Sequence, residues 1–544
     1  MERLDLGRLS RPHTGIVLGD LVLLPDPLPY NKYRWAGRQI LKLLPSSARK
    51  AFRTSARQYG LGRCYLDFQD DVVLRSEVYD LEDQWGKPPG VMNSQEWTRI
   101  GTEWWNQLPF EIKADCWHFI WRNRSTYIIG NIPRAGISYA VLEDGFIDRV
   151  SFALQVHRLS GIKQLGYLTD PVMHYLNGAH TEGTTFSHTR FAHSLDVTVI
   201  ASCIAWNLGI QGSALCCLQF AGLTHDVLTP AGGDSTKRVS SVALCEDRNY
   251  QKVFALPAFA DLEERYDLDR DLIFSTIQNQ GLLGQILDIA DKLAYVARDL
   301  PQYLINSEPE LAERARLPNE FMKLTSYVKK RPGLCAVWDT FTAIDGQLVC
   351  RDAAKLADFL FVRILLFRQF YANPASRYYE MTIIRIALDH LFQSGQVIVE
   401  RLLTMNDQEL EAMIGTVLGC YSFEVSDPFR VGEPGFKTFT TEAAVQEYAR
   451  GLYDAGCYPL LYENLQPILK RSSDKFLVVA RDGSIEHLST AYPKREAKLR
   501  SAEQLDQPWA LYWLNNLNKG VSPLFQQLVN DTIFRRFGFS ASGP

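Results

Sequence analysis

Apolar residues recur at helical spacing through the middle of the chain. From Phe146 to Gly166 they fall at Phe146, Val150, Leu154, Ile162 and Leu165, which predicts one helix over that stretch. The segments 190–208 and 213–226 are apolar on nearly every side, as expected for helices buried within an α-helical domain. The pattern stays helical almost throughout to about residue 400. The remainder differs. T-M-N-D-Q-E-L-E-A-M-I opens with a polar cap before a helical pattern. K-F-L-V-V-A-R-D-G-S-I-E-H-L sets strand-like residues around an Asp-Gly turn. The expected fold is mainly α: an N-terminal extension over 1–139, a helical core over 140–400 and a small α+β region over 401–544.

The first 139 residues carry weaker signals. Repeated prolines exclude a helix from residues 1–40, and 41–70 read as a solvated, basic amphipathic helix. Residues 85–121 hold six of the eleven tryptophans, at Trp85, Trp97, Trp104, Trp105, Trp117 and Trp121. Their spacing puts rings on shared helical faces, as a core or a docking face requires. Turn signals at Asn131-Ile132-Pro133 and Glu143-Asp144-Gly145 mark the boundary before the helical core.

Composition narrows the class. A chain of 544 residues has room for two to four domains. Its net charge of -4 argues against a generally basic nucleic-acid binder, so nucleic acid is a partner only if a local groove provides for it. No apolar run is long enough to span a membrane, and M-E-R-L-D-L-G-R lacks a signal-peptide core. The ten cysteines are scattered, with no C-x-x-C. They read as small buried hydrophobes of a reducing compartment, and the expected location is cytoplasmic.

The chemistry gathers around T-R-F-A-H-S-L-D-V and A-G-L-T-H-D-V. His193 lies early in one predicted helix, and His225-Asp226 closes the next. Asp291-Lys292 follows in I-L-D-I-A-D-K-L-A-Y-V-A-R-D-L. Two imidazoles and two carboxylates from three helical segments suit one divalent ion: Mn, Fe, Zn or Mg. Asp291, Tyr295 and Asp299 are four apart and share a helical face, with Lys292 beside it. Leu287, Ala290, Leu293, Ala294 and Ala297 supply the packed side. Ionisable groups on a buried helix are costly unless they face a site. Of the histidines that precede the site (His157, His174, His180 and His188), His180 and His188 read as solvated loop residues.

With these residues in view, roughly residues 140–400 resemble the HD-domain phosphohydrolases, and more closely the deoxynucleoside triphosphate triphosphohydrolases. V-H-R-L-S-G-I-K-Q-L-G, H-T-R-F-A-H-S-L-D-V, A-G-L-T-H-D-V, D-K-L-A-Y-V-A-R-D and R-I-L-L-F-R-Q-F-Y are similar to that family's motifs. The resemblance implies metal ligation by His193, His225, Asp226 and Asp291. It implies phosphate contacts by Arg190, Lys292 and Arg363. Gln164 and Leu165 would face the sugar and select deoxyribose, and Tyr295, Asp299 and Tyr371 would complete the sugar pocket. It also implies a homo-oligomer and a small-molecule nucleotide substrate, with deoxynucleoside and triphosphate as products. The phosphate end departs from the pattern. Thr229, Asp234, Cys245-Glu246 and Phe367 stand where the family carries histidines or a His-Glu pair. Asp234 or Glu246 is then the candidate proton-transferring group, with Lys237 and Arg238 placed to offset the added charge. The rival expectations are a regulatory nucleotide-binding protein and an HD nucleotidase or phosphodiesterase with another phosphate substrate.

Overall fold

The computed structural model describes residues 146–168, 188–240, 242–306, 334–419, 435–469, 475–515 and 522–539, with residues 324, 327 and 328 and four short strands before residue 77. The Trp-rich stretch, most of the basic stretch, the turn signals near 131 and 143, His174 and His180 lie outside the described residues. The early strands are β1 (Ile16–Leu18), β2 (Leu21–Leu24), β3 (Cys64–Asp67) and β4 (Val73–Ser76), in the sheet order β1-β2-β3-β4. β3 corrects the prediction of a helix over 41–70 at its C-terminal end. It pairs in parallel with β2, and that partner was invisible to local periodicity.

The rest is mainly α. The helix predicted over Phe146–Gly166 breaks in two: α1 covers Phe146–Ala153, and a 3-10 turn covers Val156–Gly161. Gln155 between them takes a left-handed conformation (φ 55°). Of the predicted apolar positions, Phe146, Val150, Leu154 and Ile162 are buried and Leu165 is half-buried. What changes is the path. Ile162 emerges extended, so Arg190 N donates to Ile162 O (2.8 Å) and Gln164 N donates to His188 O (3.0 Å). Periodicity reports which side is apolar, not whether the backbone continues.

Helix α2 (Arg190–Asn207) is capped by Thr189, whose Oγ1 accepts from Ala192 N at 3.3 Å. It crosses α3 (Gly212–Thr224) at Gly222, where a Cβ would lie 2.9 Å from Thr198 Cα. Glycine there lets the two helices touch and brings the end of α3 to the start of α2. A short helix, α4 (Gly233–Lys237), follows. Helix α5 (Gly281–Asn306) buries Ala290, Leu293, Ala294 and Ala297 in the same core as α2 and α3. The packed side expected for it is the one observed. Helix α6 (Ala353–Leu366) runs directly into a π-helical turn, Phe367–Tyr371.

Among the described residues, the expectation of helix almost throughout to residue 400 fails at a hairpin. β5 (Phe341–Ile344) and β6 (Gln347–Cys350) form an antiparallel hairpin whose turn residues, Asp345 and Gly346, both have positive φ. An Asp-Gly pair between apolar residues is the usual signal for such a turn. β6 pairs in parallel with β9 (Leu477–Val479), which pairs with β10 (Ile485–His487) around the predicted Asp482-Gly483 turn. A third sheet has the order β7-β11-β8, from Phe436–Phe439, Trp509–Leu514 and Tyr458–Asn464. Helix α7 (Glu442–Asp454) links β7 to β8, and α8 (Pro523–Phe537) packs on β8. The polar cap predicted near residue 406 is a capping box between Asn406 and Glu409.

Candidate metal centre and flanking pocket

Three elements deliver the candidate ligands. His193 projects from the first turn of α2, His225 caps the C-terminus of α3, and Asp291 lies on α5. One ligand atom from each of His193, His225 and Asp291 falls within 4.8 Å of the others. His193 Nε2 lies 3.0 Å from Asp291 Oδ1. Asp226 Oδ2 lies 3.6 Å from His225 Nε2 and 4.0 Å from His193 Nε2. All four residues proposed as ligands are therefore brought together, although Asp226 also accepts from Arg190 Nη1 at 3.0 Å.

The donor set fits a divalent ion. His225 Nδ1 is 2.8 Å from the Gly222 carbonyl, and donation of its proton there leaves Nε2 as a lone-pair donor. That Nε2 is buried with no hydrogen-bond partner, as is His193 Nδ1. Burial tends to raise the Asp291 carboxyl, but the His193 hydrogen bond, with His225 and Lys292, brings it down to about 2. Burial opposes Asp226 ionisation too, and Arg190 and the two histidines hold its carboxyl below the usual carboxylate range. Both carboxylates are thus charged and ready to ligate at neutral pH.

Beside this cluster runs a chain of ion pairs. Arg190 Nη2 lies 2.9 Å from Asp234 Oδ2, and Lys237 Nζ lies 2.9 Å from Asp234 Oδ1. Lys237 also reaches Glu246 Oε1 at 2.6 Å, and the Thr229 hydroxyl donates to the same oxygen. Burial disfavours the Arg190 and Lys237 charges, yet the surrounding carboxylates raise both pKa values. Glu246 is raised too, but by burial and Asp226 acting against the pull of Lys237 and Arg190. Lys292 Nζ donates to Asp288 Oδ1, one turn back, rather than standing open to a ligand. Arg238 points elsewhere, to Glu463 (3.3 Å) and Glu380 (3.5 Å), so Lys237 alone of the pair offsets the added carboxylates.

On the other flank, Arg363 Nε donates to the Tyr295 hydroxyl, and its guanidinium lies 4.6 Å over the Phe367 ring. Tyr371, on the π-helical turn, donates to Asp299 Oδ2. The Tyr295 and Tyr371 rings are 6.3 Å apart, edge to face, and burial raises both phenol pKa values. Gln164 is buried with its Oε1 unpartnered, and Leu165 beside it packs partly buried against the core. His188 was misjudged as solvated. It is buried, with Nε2 2.9 Å from Asp299 Oδ1, while its backbone accepts from Gln164. The signal was available: an acid on an apolar helix with no cation one turn away needs a partner. Asp288 was missed as well, and the Asp288–Lys292 spacing of four was its signal.

No family model matches the chain, and no curated protein matches it. Two solved structures align with much of its length. A phosphohydrolase from Bacteroides thetaiotaomicron superposes with a TM-score of 0.46 at 16% identity, covering 72% of this chain and 98% of that one. A hypothetical protein from Aquifex aeolicus gives 0.44 at 15% identity, covering 68% and 91%. Among the described residues, no helix is long and apolar enough to cross a membrane.

Proposed function

We propose that the chain is a metal-dependent phosphohydrolase acting on deoxynucleotides. The observation that carries this is the convergence of His193, His225 and Asp291 within 4.8 Å, beside Arg190, Lys292, Arg363 and Tyr371, all of them buried. The bound ion would supply Lewis acidity toward a phosphoryl group and toward water. His193, His225, Asp226 and Asp291 would hold it. Arg363, and Lys292 once drawn from Asp288, would neutralise phosphate oxygens. Gln164 Oε1 would accept from a sugar hydroxyl, and the Leu165 side chain would exclude a second one. A site that bonds one hydroxyl and packs carbon where another would sit discriminates by about 1–3 kcal/mol. The resemblance supports attack at the phosphorus nearest the sugar, with the whole phosphate chain leaving. Asp234 and Glu246 are the available proton carriers, though both are held in ion pairs.

Those ion pairs favour a second reading, a nucleotide-binding protein without turnover. Incubation of the full chain with Mn²⁺ and a panel of deoxy- and ribonucleotides, followed by chromatography, separates the two. Hydrolysis that disappears in the His225→Ala, Asp226→Ala double variant supports the enzyme. Saturable binding with no product supports the alternative. Product formed equally by the double variant defeats the metal reading.

A further inference from the structure

One carboxylate of the C-terminal sheet is tied to elements on two sides of the candidate site. Glu463, on β8, pairs with Ala510 of β11, so Tyr512, two residues further on, shares its side of the sheet. The Tyr512 hydroxyl donates to Glu463 Oε1 at 2.8 Å. Arg377 grips the carboxylate with two bonds, from Nε to Oε1 (2.5 Å) and from Nη2 to Oε2 (2.8 Å). Arg238 Nη1 donates to Oε2 at 3.3 Å. The Glu463 side chain is 15% exposed and that of Arg377 only 1%. Glu380 balances the second guanidinium, lying 3.5 Å from Arg238 Nε and 3.6 Å from Arg377 Nη1. Each arginine leads back to the site. Arg238 ends α4, the helix that carries Asp234 and Lys237. Five residues cannot hold a helix unaided, so α4 depends on what grips its ends. Asp407 holds Gly232 before it, and Arg238 holds the other end, with Ser235 hydrogen-bonded to Glu380 between them. Arg377 lies in the short helix Pro374–Tyr379, and its Nη1 makes a long hydrogen bond (3.5 Å) to the Tyr371 carbonyl. Tyr371 is the residue that donates to Asp299.

We propose that Glu463 is a positioning residue, through which the C-terminal α+β region sets the spacing between α4 and the Tyr371–Asp299 pair; this rests on the function proposed above. A buried cluster of charges gains little net stability over apolar residues of the same volume. What it fixes is direction, because a carboxylate gripped in a fork by Arg377 and from the side by Arg238 allows one arrangement of both. The bonds of this cluster involve none of the four candidate metal ligands. Loosening it should therefore misplace a bound nucleotide while leaving the ion where it is.

The test uses the full chain with Mn²⁺ and the mono- and triphosphates of the four common deoxynucleosides, each assayed separately. Arg238→Met cuts only the arm to α4, and the half-buried position lets that variant fold. Its KM should rise about tenfold, with kcat within about threefold of wild type and Mn²⁺ affinity within about twofold by calorimetry. Arg238→Lys, which keeps the charge, should recover part of the KM. Glu463→Gln loosens both arms and should raise KM further; if it does not fold, the two Arg238 variants carry the test. Wild-type KM in Arg238→Met overturns the proposal whatever happens to its urea midpoint, since the cluster would then be structural only. Mn²⁺ affinity that falls as far as nucleotide affinity overturns it as well, by showing general loosening. If the wild type hydrolyses none of the nucleotides, the enzymatic reading fails and calorimetric nucleotide affinity becomes the readout. Weaker binding by Arg238→Met then sustains the positioning role, and equal binding overturns it. A wild type that binds no nucleotide overturns both.

Discussion

His188 Nε2 lies 2.9 Å from Asp299 Oδ1, and both side chains are buried, the carboxylate completely. Asp299 Oδ2 accepts from Tyr371, so the carboxylate lies between the segment before α2 and the turn after α6. His188→Ala would leave one oxygen of a buried carboxylate without its partner. The expected cost is about 3 kcal/mol, read as a lowered urea midpoint. His188→Asn, which restores a donor, should recover part of it. A midpoint within experimental error of wild type for the alanine variant would mean that the pair contributes nothing.

The metal centre predicts a graded loss. His193→Ala, His225→Ala and Asp291→Ala should each weaken Mn²⁺ binding by about a hundredfold or more, measured by calorimetry. Asp226→Ala should weaken it as well, while also releasing one nitrogen of Arg190. Equal affinity in all four variants would place the ion elsewhere.

Leu165 tests the sugar assignment. Leu165→Ala removes carbon from the position where a 2′-hydroxyl would sit. Ribonucleotide turnover should rise relative to deoxynucleotide turnover by about ten- to a hundredfold. An unchanged ratio would show that Leu165 serves only the core.

Asp407 is a positioning residue far away in sequence. Its carboxylate accepts from Lys163 N and Gly232 N, both at 2.7 Å. It thereby ties the segment carrying Gln164 to the loop leading into α4. Asp407→Ala orphans two backbone donors and should cost about 2–4 kcal/mol in a denaturant titration. The same variant should raise KM more than it lowers kcat, because the pocket loosens while the metal ligands stay in place.

Acid dependence follows from Asp291. Its folded pKa of about 2 lies below the unfolded value of about 3.9. In metal-free protein the resulting stabilisation is complete above the unfolded value and is lost as pH falls toward 2. The stability difference between wild type and Asp291→Asn should therefore shrink between pH 5 and about pH 2.5. A difference that holds or widens over that range would contradict the pairing with His193.

Much of this site was readable from residue order alone. His193, His225, Asp226 and Asp291 stand out because polar groups on apolar helices have no cheaper explanation, and the structure gathers them. The partners were harder to see. His188 sits in a polar sequence neighbourhood that looks solvated, and its burial comes from α5 and the turn after α6 closing over it. For Arg190 the resemblance implies a phosphate contact, whereas its immediate neighbours in space are Asp226 and Asp234. Asp234 comes from α4, a helix of five residues too short to leave a periodic signature. The break at Gln155 and the β5–β6 hairpin were missed for a related reason. A backbone can change direction without changing which residues are apolar.

The pairing of β6 with β9 has a practical meaning for cutting the chain. β6 lies before α6, and β9 lies beyond residue 470, so one small sheet is closed only when the two ends of the described core meet. Phe476, Val478, Leu488 and Leu499 sit in the same apolar cluster as α2, α3 and α5. A polypeptide stopped at residue 400 would keep every candidate metal ligand yet leave β6 with an open edge over an uncovered apolar surface. An open strand edge of that kind invites pairing between molecules, so the shortened protein is expected to aggregate rather than behave as a minimal enzyme.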